Sequence, residues 1–256
     1  MRLPRLRGFR GKEKTGDVTP GWRGMDYHCH LLPGVDDGMA DVETAVAAIE
    51  AMQALGYAGA VMTPHIYSGV FDNDAAGLRA AHRVFAAALA ERGITFPLSL
   101  AAEYYADEHF LKLIDDDELM ALPVNGERWV LLEFPYMQET PFAGVCLSAL
   151  ASRGFRPVVA HVERYRFVAQ EPAVWLERFE RAGAVLQGDI GSLVGQFGEP
   201  VKKFAAWLLE KEKISIWGSD LHHPGQLARH IAPGLAKLGN GRLNTLLDNL
   251  EYPEAA

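Results

Sequence analysis

The sequence has few cysteines, no long apolar run and no excess of positive charge, and each of these shortages excludes a class of protein. The two cysteines, Cys29 and Cys146, have no paired spacing, so we expect neither a disulfide framework nor a cysteine-based zinc site. No run approaches the roughly 18 apolar residues of a membrane span. The formal net charge of -8 argues against a nucleic-acid partner, whose binding surface would be basic. We therefore expect a protein of the reducing cytoplasm.

The amino-terminal segment differs in composition from the rest of the chain. It interleaves glycine and proline with the basic residues Arg2, Arg5, Arg7, Arg10, Lys12 and Lys14. No apolar segment follows, so we do not expect a signal peptide. We predict that residues 1–24 form a flexible basic tail and that residues 25–256 form the folded domain. Any contact with a membrane surface is expected through this tail alone.

Short apolar segments alternate with amphipathic ones along the predicted domain. Residues 58–62 predict a strand, and residues 41–55 repeat apolar side chains at helical spacing before Gly56. About seven such strand–helix units predict parallel βαβ connections and a closed or nearly closed α/β barrel. An open doubly wound sheet is the alternative, but no Gly-x-Gly-x-x-Gly follows the first strand. We predict an irregular segment with an acidic patch at residues 115–118, before a strand that ends at Glu133.

Polar residues cluster near the start of the predicted domain. His28 and His30 stand two positions apart in a predicted strand, so both imidazoles point to one face. The chain then turns at a Pro-Gly pair and presents the carboxylates of Asp36 and Asp37. Two imidazoles followed by an acidic turn indicate the beginning of a divalent-metal site. For this segment alone, a strand end with two exposed histidines and a solvated acidic turn is the favoured interpretation.

Later predicted strands also end in histidine or in an acidic residue. The candidates at these ends are His65, Glu103, Glu133, His161, Asp220 and His222. In an α/β barrel the carboxyl ends of the strands surround one mouth, where the chemistry of such folds takes place. With His28, His30 and Asp37, these residues provide imidazoles and carboxylates without a thiolate, a set that favours manganese, iron or zinc. The set exceeds what one ion needs, and several divalent ions in one pocket favour hydrolysis of phosphate esters.

The order of these residues resembles that of the polymerase and histidinol phosphatase (PHP) superfamily. The shared segments are Asp26-x-His28-x-His30, Thr63-Pro64-His65, Glu103, Glu133, His161 and Asp220-x-His222. Further segments resemble the bacterial metal-dependent protein tyrosine phosphatases of capsule and exopolysaccharide operons: residues 28–38, Ala102-Glu103-Tyr104, Leu132-Glu133-Phe134, residues 160–165 and Gly191-Ser192-Leu193. The resemblance covers nearly the whole predicted domain. It implies a distorted seven-stranded α/β barrel of PHP type.

The resemblance also implies a site for three divalent ions, with Mn2+ expected and iron or zinc as alternatives. The implied ligand sets are His28, His30, Glu103 and Asp220 for one ion; Glu103, Glu133 and His161 for a second; and Asp37, His65 and His222 for a third. Asp26 and Asp36 are expected to orient ligand imidazoles.

The implied activity is hydrolysis of phosphotyrosine by in-line attack of a metal-bound hydroxide, without a phosphoenzyme. Arg164 would clamp the phosphate, and Asp220 and His222 complete the implied catalytic residues. The implied substrate is a phosphotyrosine protein, in particular a bacterial tyrosine kinase that controls capsule or exopolysaccharide synthesis. A cysteine-based mechanism is not expected, because neither cysteine is followed by arginine after five intervening residues.

Two alternative functions remain open at this point. One is a small-molecule phosphomonoesterase such as a histidinol phosphatase, and the other is a non-catalytic metal-binding regulatory module. A short open loop after His65 would favour a protein substrate, whereas a deep closed pocket would favour a metabolite. Some relatives place another phosphate-binding arginine shortly after the Asp-x-His pair, and here the nearest candidates are His223 and Arg229.

Overall fold

The computed structural model describes residues 24–124 and 126–239 of the chain. The predicted basic tail lies outside the described residues except for Gly24, and so does the end of the predicted domain from residue 240. None of the helices in the described ranges combines the length and the apolar character that crossing a bilayer requires.

The described residues form ten β-strands and eight α-helices. The strands are β1 (Gly24–Cys29), β2 (Tyr57–Met62), β3 (His65–Ile66), β4 (Leu98–Leu100), β5 (Glu103–Tyr105), β6 (Leu122–Val124), β7 (Glu127–Glu133), β8 (Phe155–Val159), β9 (Val185–Asp189) and β10 (Ile216–Gly218). The helices are α1 (Val42–Leu55), α2 (Ala75–Glu91), α3 (Glu108–Asp115), α4 (Phe142–Ser152), α5 (Arg166–Gln170), α6 (Pro172–Arg181), α7 (Glu199–Glu210) and α8 (Ala232–Leu238). Two short 3-10 helices, Val162–Arg164 and Ile190–Val194, and a π-helical turn, Leu227–Ile231, complete these elements.

The first helices begin and end at residues that satisfy their free backbone groups. The Asp41 side chain accepts a hydrogen bond from Thr44 N at 2.8 Å at the start of α1, and Asp74 accepts one from Gly77 N at 2.7 Å at the start of α2. Gly56 ends α1 with a φ of 94°, a left-handed conformation that glycine adopts without steric cost. The helix predicted over residues 41–55 is therefore confirmed.

Parallel strands curl into a half-barrel made of two sheets. The first sheet has the order β1-β2-β4, and the second has the order β10-β9-β8-β7-β5-β3, with β6 antiparallel to β7. The chain crosses from the first sheet to the second between β2 and β3, and again between β4 and β5. At the opposite edges of the two sheets, β1 is joined to the segment that follows β10. Here Asp220 N donates to His28 O at 2.9 Å, and His30 N donates to Leu221 O at 3.0 Å. The predicted α/β architecture with parallel strands is confirmed.

The predicted count of seven strands is not confirmed, and two predicted strand ends are wrong. His65 and Glu103 begin β3 and β5, whereas the sequence pattern placed them at the ends of the preceding strands. Pro64 stands between the end of β2 and the start of β3, and it has no N–H to donate to a neighbouring strand. His65 and Glu103 stand opposite each other in the parallel pairing of β3 with β5.

The prediction of an irregular segment before β7 is wrong in part: the segment contains the helix α3 and the strand β6, whereas residues 116–121 between them are irregular. Asp107 caps α3 by accepting a hydrogen bond from Phe110 N at 2.8 Å, and the helix buries Phe110 and Ile114. The short strand β6 then pairs antiparallel with β7. The helix is brief and ends in the acidic patch, so its apolar spacing is hard to recognise in the sequence.

The interior of the half-barrel contains a small apolar cluster, distinct from the larger core that also includes the helices. Leu131 and Val185 belong to the interior cluster, and two positions later on the same strands stand Glu133 and Gln187, both buried. Because side chains alternate along a strand, each pair shares a face. The interior is therefore apolar towards the start of the strands and polar at their carboxyl ends.

Gly218 lies where β10 approaches β1, and a side chain has no room there. A Cβ atom at Gly218 would lie 2.6 Å from His28 Cβ and 2.9 Å from Gln187 Nε2. We expect Gly218→Ala to lower the free energy of unfolding, measured in urea, by about 1–3 kcal/mol. Gly144→Ala in α4 is the control, because the surroundings of Gly144 are open, and it should stabilise the protein by about 0.5–1 kcal/mol. A Gly218→Ala protein as stable as the wild type would contradict the close approach.

Candidate metal centre

Histidine and acidic side chains from several strands lie together at the carboxyl edge of the half-barrel. Eight of the nine predicted ligands form three groups, in each of which one ligand-type atom per residue lies within 4.8 Å of all the others. The groups are His28, His30, Glu103 and Asp220; His30, Asp37, His65 and His222; and His65, Glu103 and Glu133. The ninth residue, His161, lies beside the third group, with Nε2 3.1 Å from Glu103 Oε1 and 3.7 Å from Glu133 Oε1. All nine side chains are thus brought together.

The Glu103 carboxylate lies at the centre of this arrangement and is fully buried. Its Oε2 atom lies 3.2 Å from His28 Nε2, 3.4 Å from His30 Nε2 and 3.2 Å from His65 Nδ1, and its Oε1 atom faces His161. Burial would raise the pKa of Glu103, but the imidazoles of His28 and His65 hold it well below its usual range. Glu103 is therefore ionised, and it belongs to two of the three groups.

Asp220 approaches the same imidazoles from the end of β10. Its Oδ1 atom lies 3.3 Å from His28 Nε2 and 3.4 Å from His30 Nε2, and its Oδ2 atom accepts a hydrogen bond from Arg164 Nη1 at 2.6 Å. Burial would raise the pKa of Asp220, but the imidazoles of His222 and His28 hold it well below its usual range. One carboxylate therefore contacts both the imidazole cluster and a guanidinium.

Glu133 is a carboxylate whose negative charge is poorly compensated by its neighbours. Burial, and then the charge of Glu103, raise the pKa of Glu133 to about 8. The hydroxyl of Tyr136 donates a hydrogen bond to Glu133 Oε1, which lowers the pKa but offsets only part of the increase. The buried carboxylates of Glu103 and Glu133 have oxygen atoms within 4.8 Å of each other, which favours a bound cation between them.

The group that includes Asp37 and His222 faces the solvent. The side chain of Asp37 is 58% exposed and that of His222 is 23% exposed, whereas those of His28 and Glu103 are fully buried. Asp37 Oδ1 lies 3.3 Å from His222 Nε2 and 3.6 Å from His65 Nε2. A substrate therefore has access to the cluster from this side.

Arg164 is held beside the cluster by two aromatic rings. Its guanidinium carbon lies 4.5 Å from the centre of the Tyr136 ring and 4.1 Å from the centre of the Phe197 ring. Such cation–π contacts, together with the ion pair to Asp220, fix the orientation of the guanidinium. The predicted phosphate-binding residue is thus next to the predicted ligands.

The loop after Asp220 does not favour either candidate for a second phosphate contact. The side chains of His223 and Arg229 are both exposed. His223 Nδ1 accepts a hydrogen bond from Gly225 N at 3.0 Å, so this ring nitrogen is engaged within its own loop.

Two acidic side chains were predicted to orient imidazoles, and one of them does so. Asp36 Oδ2 lies 2.7 Å from His30 Nδ1, which leaves His30 Nε2 facing the cluster. Asp26 instead accepts hydrogen bonds from His28 N at 3.2 Å and from Ser219 N at 3.1 Å, so the prediction for Asp26 is wrong. Its buried carboxylate links β1 to the end of β10, because these two segments run side by side beneath the imidazoles.

Gln187 is a residue of the site that no metal-ligand pattern in the sequence predicts. Its Oε1 atom lies 3.1 Å from His28 Nδ1 and accepts a hydrogen bond from His161 N at 2.6 Å. Gln187 thereby positions two histidines that come from different strands. Its place near the end of β9 matches that of the predicted ligands, but an amide is not a typical ligand, so the residue was not singled out. Tyr136 and Phe197, which contact Arg164, were missed because neither carries metal-binding chemistry.

The backbone is strained at two residues of the site. Four non-glycine residues in the described ranges have positive φ, namely Asp117, His161, Glu212 and Asp220. The φ angles of His161 and Asp220 are 29° and 48°. Conformations of this kind cost about 1–3 kcal/mol each and persist only where the surrounding contacts hold them. The fold therefore imposes the direction in which these two side chains leave the chain.

The donor set fits divalent metal ions. Imidazole nitrogens and carboxylate oxygens without a thiolate suit manganese, iron or zinc. Burial, and then the charge of Arg164, lower the pKa of His161 to about 4, so its imidazole is neutral, which is the form that binds a metal. His161 Nδ1 is also buried without a hydrogen-bond partner among the described residues. The three overlapping groups provide more ligands than one ion requires.

The sequence matches a known protein family over all of the described part. Residues 24–244 match the family described as Capsular polysaccharide synthesis, CpsB/CapC. The chain is 30% identical to tyrosine-protein phosphatase YwqE of Bacillus subtilis over 199 residues, which cover 78% of this chain and 77% of that protein. It is 24% identical to the putative tyrosine-protein phosphatase CapC of Staphylococcus aureus over 198 residues, which cover 77% of this chain and 76% of that protein.

Solved structures show the same relationship. A chain from the crystal structures of YwqE from Bacillus subtilis and CpsB from Streptococcus pneumoniae, described as metal-dependent tyrosine phosphatases, matches with a TM-score of 0.75 and 28% identity. The match covers 87% of this chain and 90% of that chain. Histidinol phosphate phosphatase from Lactococcus lactis matches with a TM-score of 0.53 and 13% identity, covering 86% of this chain and 95% of that chain, which shows a similar fold alone.

Asp220 contacts two imidazoles and Arg164, so removal of its negative charge tests directly whether the cluster binds a metal. We expect Asp220→Asn, which keeps the shape and tolerates the positive φ, to weaken the binding of Mn2+. The loss should exceed the roughly 10- to 100-fold typical of supporting residues, because a candidate ligand is removed. The loss of Mn2+ affinity is measured as the metal content per chain after dialysis against limiting Mn2+. His109→Ala, an exposed histidine in α3, is the control. Wild-type metal content in Asp220→Asn would contradict the assignment.

Proposed function

The chain belongs to the capsular polysaccharide synthesis CpsB/CapC family, and we propose that it is a metal-dependent protein-tyrosine phosphatase, a phosphoric monoester hydrolase. One observation carries the proposal most directly. Three overlapping groups of imidazoles and carboxylates lie at one edge of the half-barrel, and the guanidinium of Arg164 lies beside them. Cations together with an arginine form the electrostatic environment that binds a phosphate dianion and its transition state.

The proposed cofactor is a set of three divalent ions, with Mn2+ as the expected metal. We assign the ligands as His28, His30, Glu103 and Asp220 for one ion; Glu103, Glu133 and His161 for a second; and Asp37, His65 and His222 for a third. The last two sets differ from the groups whose ligand atoms lie within 4.8 Å of one another. In those groups His65 stands with Glu103 and Glu133 in place of His161, and His30 joins Asp37, His65 and His222. When bound, such ions neutralise phosphate oxygens and activate water for attack at neutral pH.

The chain's own side chains then orient the substrate. Arg164 is held by Tyr136 and Phe197, so little conformational freedom is lost when its guanidinium contacts a phosphate oxygen. Asp220 fixes the position of that guanidinium through its ion pair. His222 lies at the solvent-exposed edge, beside Asp37, where the phosphoryl group enters.

A thiol nucleophile is excluded by the chemistry of both cysteines. Cys29 and Cys146 are fully buried. Burial raises the pKa of the Cys146 thiol to about 12 and raises that of Cys29 well above its usual range, so neither is a thiolate at neutral pH. In the proposed reaction the attacking group is water, and neither thiol takes its place.

The shape of the edge favours a protein substrate over a metabolite. The segment after His65 makes a tight turn, in which Tyr67 N donates to Phe71 O at 3.1 Å and Phe71 N donates to Tyr67 O at 2.8 Å. The turn is short, and α2 begins at Ala75. With the Asp37 side chain exposed, the edge remains open to a peptide. We further propose that the substrate is phosphotyrosine on a bacterial tyrosine kinase of capsule or exopolysaccharide synthesis, and that the protein acts in the cytoplasm.

A comparison of substrates tests the proposed function. With Mn2+ bound, we expect a phosphotyrosyl peptide to be hydrolysed with a higher kcat/KM than histidinol phosphate, as measured by phosphate release. Removal of the metal with a chelator should abolish the reaction, and added Mn2+ should restore it. A higher kcat/KM for histidinol phosphate would instead identify a small-molecule phosphatase. Absence of turnover with metal bound would identify a regulatory module.

Arg164 should act on the rate and not on metal binding. We expect Arg164→Ala to lower kcat for a phosphotyrosyl peptide by about 100- to 1000-fold, the loss typical of one transition-state donor, with unchanged metal content. Arg178→Ala is a matched control, because Arg178 also lies over an aromatic ring, that of Trp175, and pairs with Glu139. Loss of metal in Arg164→Ala, or an equal loss of rate in Arg178→Ala, would contradict the role of Arg164 in phosphate binding.

A further inference from the structure

Two stacked tyrosines stand next to the candidate ligands on neighbouring strands. The ring centres of Tyr67 and Tyr105 lie 3.8 Å apart, and their planes differ by 12°. Tyr67 directly follows β3, and Tyr105 is the last residue of β5. Both side chains are only partly buried, although their strands lead out of the buried cluster. A partly exposed pair at this position is available to a substrate.

Strand geometry places this pair one layer above the ligands. His65 precedes Tyr67 by two positions and Glu103 precedes Tyr105 by two positions, so each pair of side chains shares a face. His65 and Glu103 stand opposite each other in the pairing of β3 with β5. Two residues along a strand span about 6–7 Å, so the stacked rings lie roughly that far above the ligands, towards the solvent.

The same side of the cluster carries further apolar surface. Tyr105 stands opposite Glu133 in the pairing of β5 with β7, and the Phe71 ring stacks on the His65 ring with centres 5.3 Å apart. Val70 and Met137, on the segments that follow β3 and β7, are 56% and 66% exposed. The edge above β3, β5 and β7 is thus aromatic and apolar, whereas the polar residues Asp37 and His222 lie on the segments that follow β1 and β10.

Phosphate esters of serine, threonine and tyrosine differ in the group that is attached to the ester oxygen. The phosphate of a serine or threonine ester is followed by a short alkyl chain, whereas that of a tyrosine ester is followed by a phenyl ring. With the phosphate at the ligands and Arg164, the phenyl ring extends into the layer of the stacked tyrosines. Aromatic rings attract one another through offset or edge-to-face packing, beyond the burial of apolar area.

We propose that the Tyr67–Tyr105 stack is an aryl-binding wall, which contacts the phenyl ring of the substrate and selects aryl over alkyl phosphates. Val70 and Met137 extend this wall and contact the peptide residues next to the phosphotyrosine. The inference rests on the proposed function for the position of the phosphate, and it assigns the specificity of that site to residues outside the candidate ligand set. Tyr67 and Tyr105 position the substrate and take no part in the chemical step.

Competitive inhibition by two phosphonates tests the wall without turnover of the inhibitor. Phenylphosphonate and methylphosphonate present the same phosphonate oxygens and differ in the ring, and the ratio of their inhibition constants measures aryl selectivity. With p-nitrophenyl phosphate as the reporter substrate, we expect Tyr67→Ala and Tyr105→Ala to lower the preference for phenylphosphonate by about 2- to 12-fold. Tyr67→Phe keeps the ring and should retain the wild-type ratio.

Each outcome bears on the wall separately from the proposed function. Wild-type selectivity in both Tyr67→Ala and Tyr105→Ala would overturn the inference, even if the protein hydrolyses phosphotyrosyl peptides. A protein without turnover still yields the ratio from direct calorimetric binding of the two phosphonates, so failure of the proposed function is recognised independently. If Tyr67→Ala also loses affinity for methylphosphonate, the substitution has disturbed the phosphate site itself. The variant Tyr67→Leu, which keeps an apolar side chain, then replaces it, and the ratio of the inhibition constants of the two phosphonates in that variant decides.

Two exposed valines provide a matched pair for the peptide contact. We expect Val70→Ser to raise the KM for a phosphotyrosyl peptide more than the KM for p-nitrophenyl phosphate, because only the peptide extends beyond the ring. Val84→Ser is the control, since Val84 is 71% exposed in α2, away from the strand ends. Equal effects of the two substitutions on the peptide KM would remove Val70 from the proposed wall.

Discussion

The buried negative charge of Glu103 is the constraint on which the rest of the site depends. A carboxylate without access to water is stable only among compensating partners, and Glu103 has four imidazoles within 3.4 Å. His28 lies on β1, His30 directly follows β1 and His65 lies on β3, whereas the fourth imidazole, that of His161, follows β8. The folding of distant segments around one carboxylate therefore creates the cluster. The neighbouring Glu133, with a pKa raised to about 8, shows that these partners do not compensate two such charges. Bound divalent ions would supply the missing positive charge.

The approach of β1 to β10 couples the stability of the fold to the geometry of the site. Gly218 leaves room for His28, and the buried carboxylate of Asp26 accepts hydrogen bonds from the backbone of both segments. Directly after this contact, Asp220 adopts a positive φ and turns its carboxylate towards His28 and Arg164. The strain at Asp220 is tolerated because the surrounding contacts hold it, which is a common arrangement in catalytic sites.

The sides of the site differ in chemistry, and this difference accounts for the proposed substrate. Buried imidazoles and carboxylates form its floor, Asp37 and His222 form an exposed polar edge, and aromatic side chains stand above β3 and β5. A phosphate dianion fits the floor when cations and Arg164 are present, whereas a phenyl ring fits the aromatic side. A phosphotyrosyl protein combines a phosphate dianion with a phenyl ring, and its polypeptide can lie across the open edge of the site. The CpsB/CapC family membership agrees with this combination.

The sequence by itself determined the type of fold and the identity of the candidate ligands. Alternating apolar segments predicted parallel strands and helices. His65, Glu103 and His161 were identified by their residue type shortly after predicted apolar segments, which is a local property of the chain, although His65 and Glu103 in fact begin strands. Only the tertiary structure decided that β3 and β5 are separate strands, that Gln187 joins His28 to His161, and that Tyr136 and Phe197 hold Arg164. These contacts connect residues far apart in the chain. They depend on strand register and on where the chain crosses between sheets, which no local pattern of residues specifies.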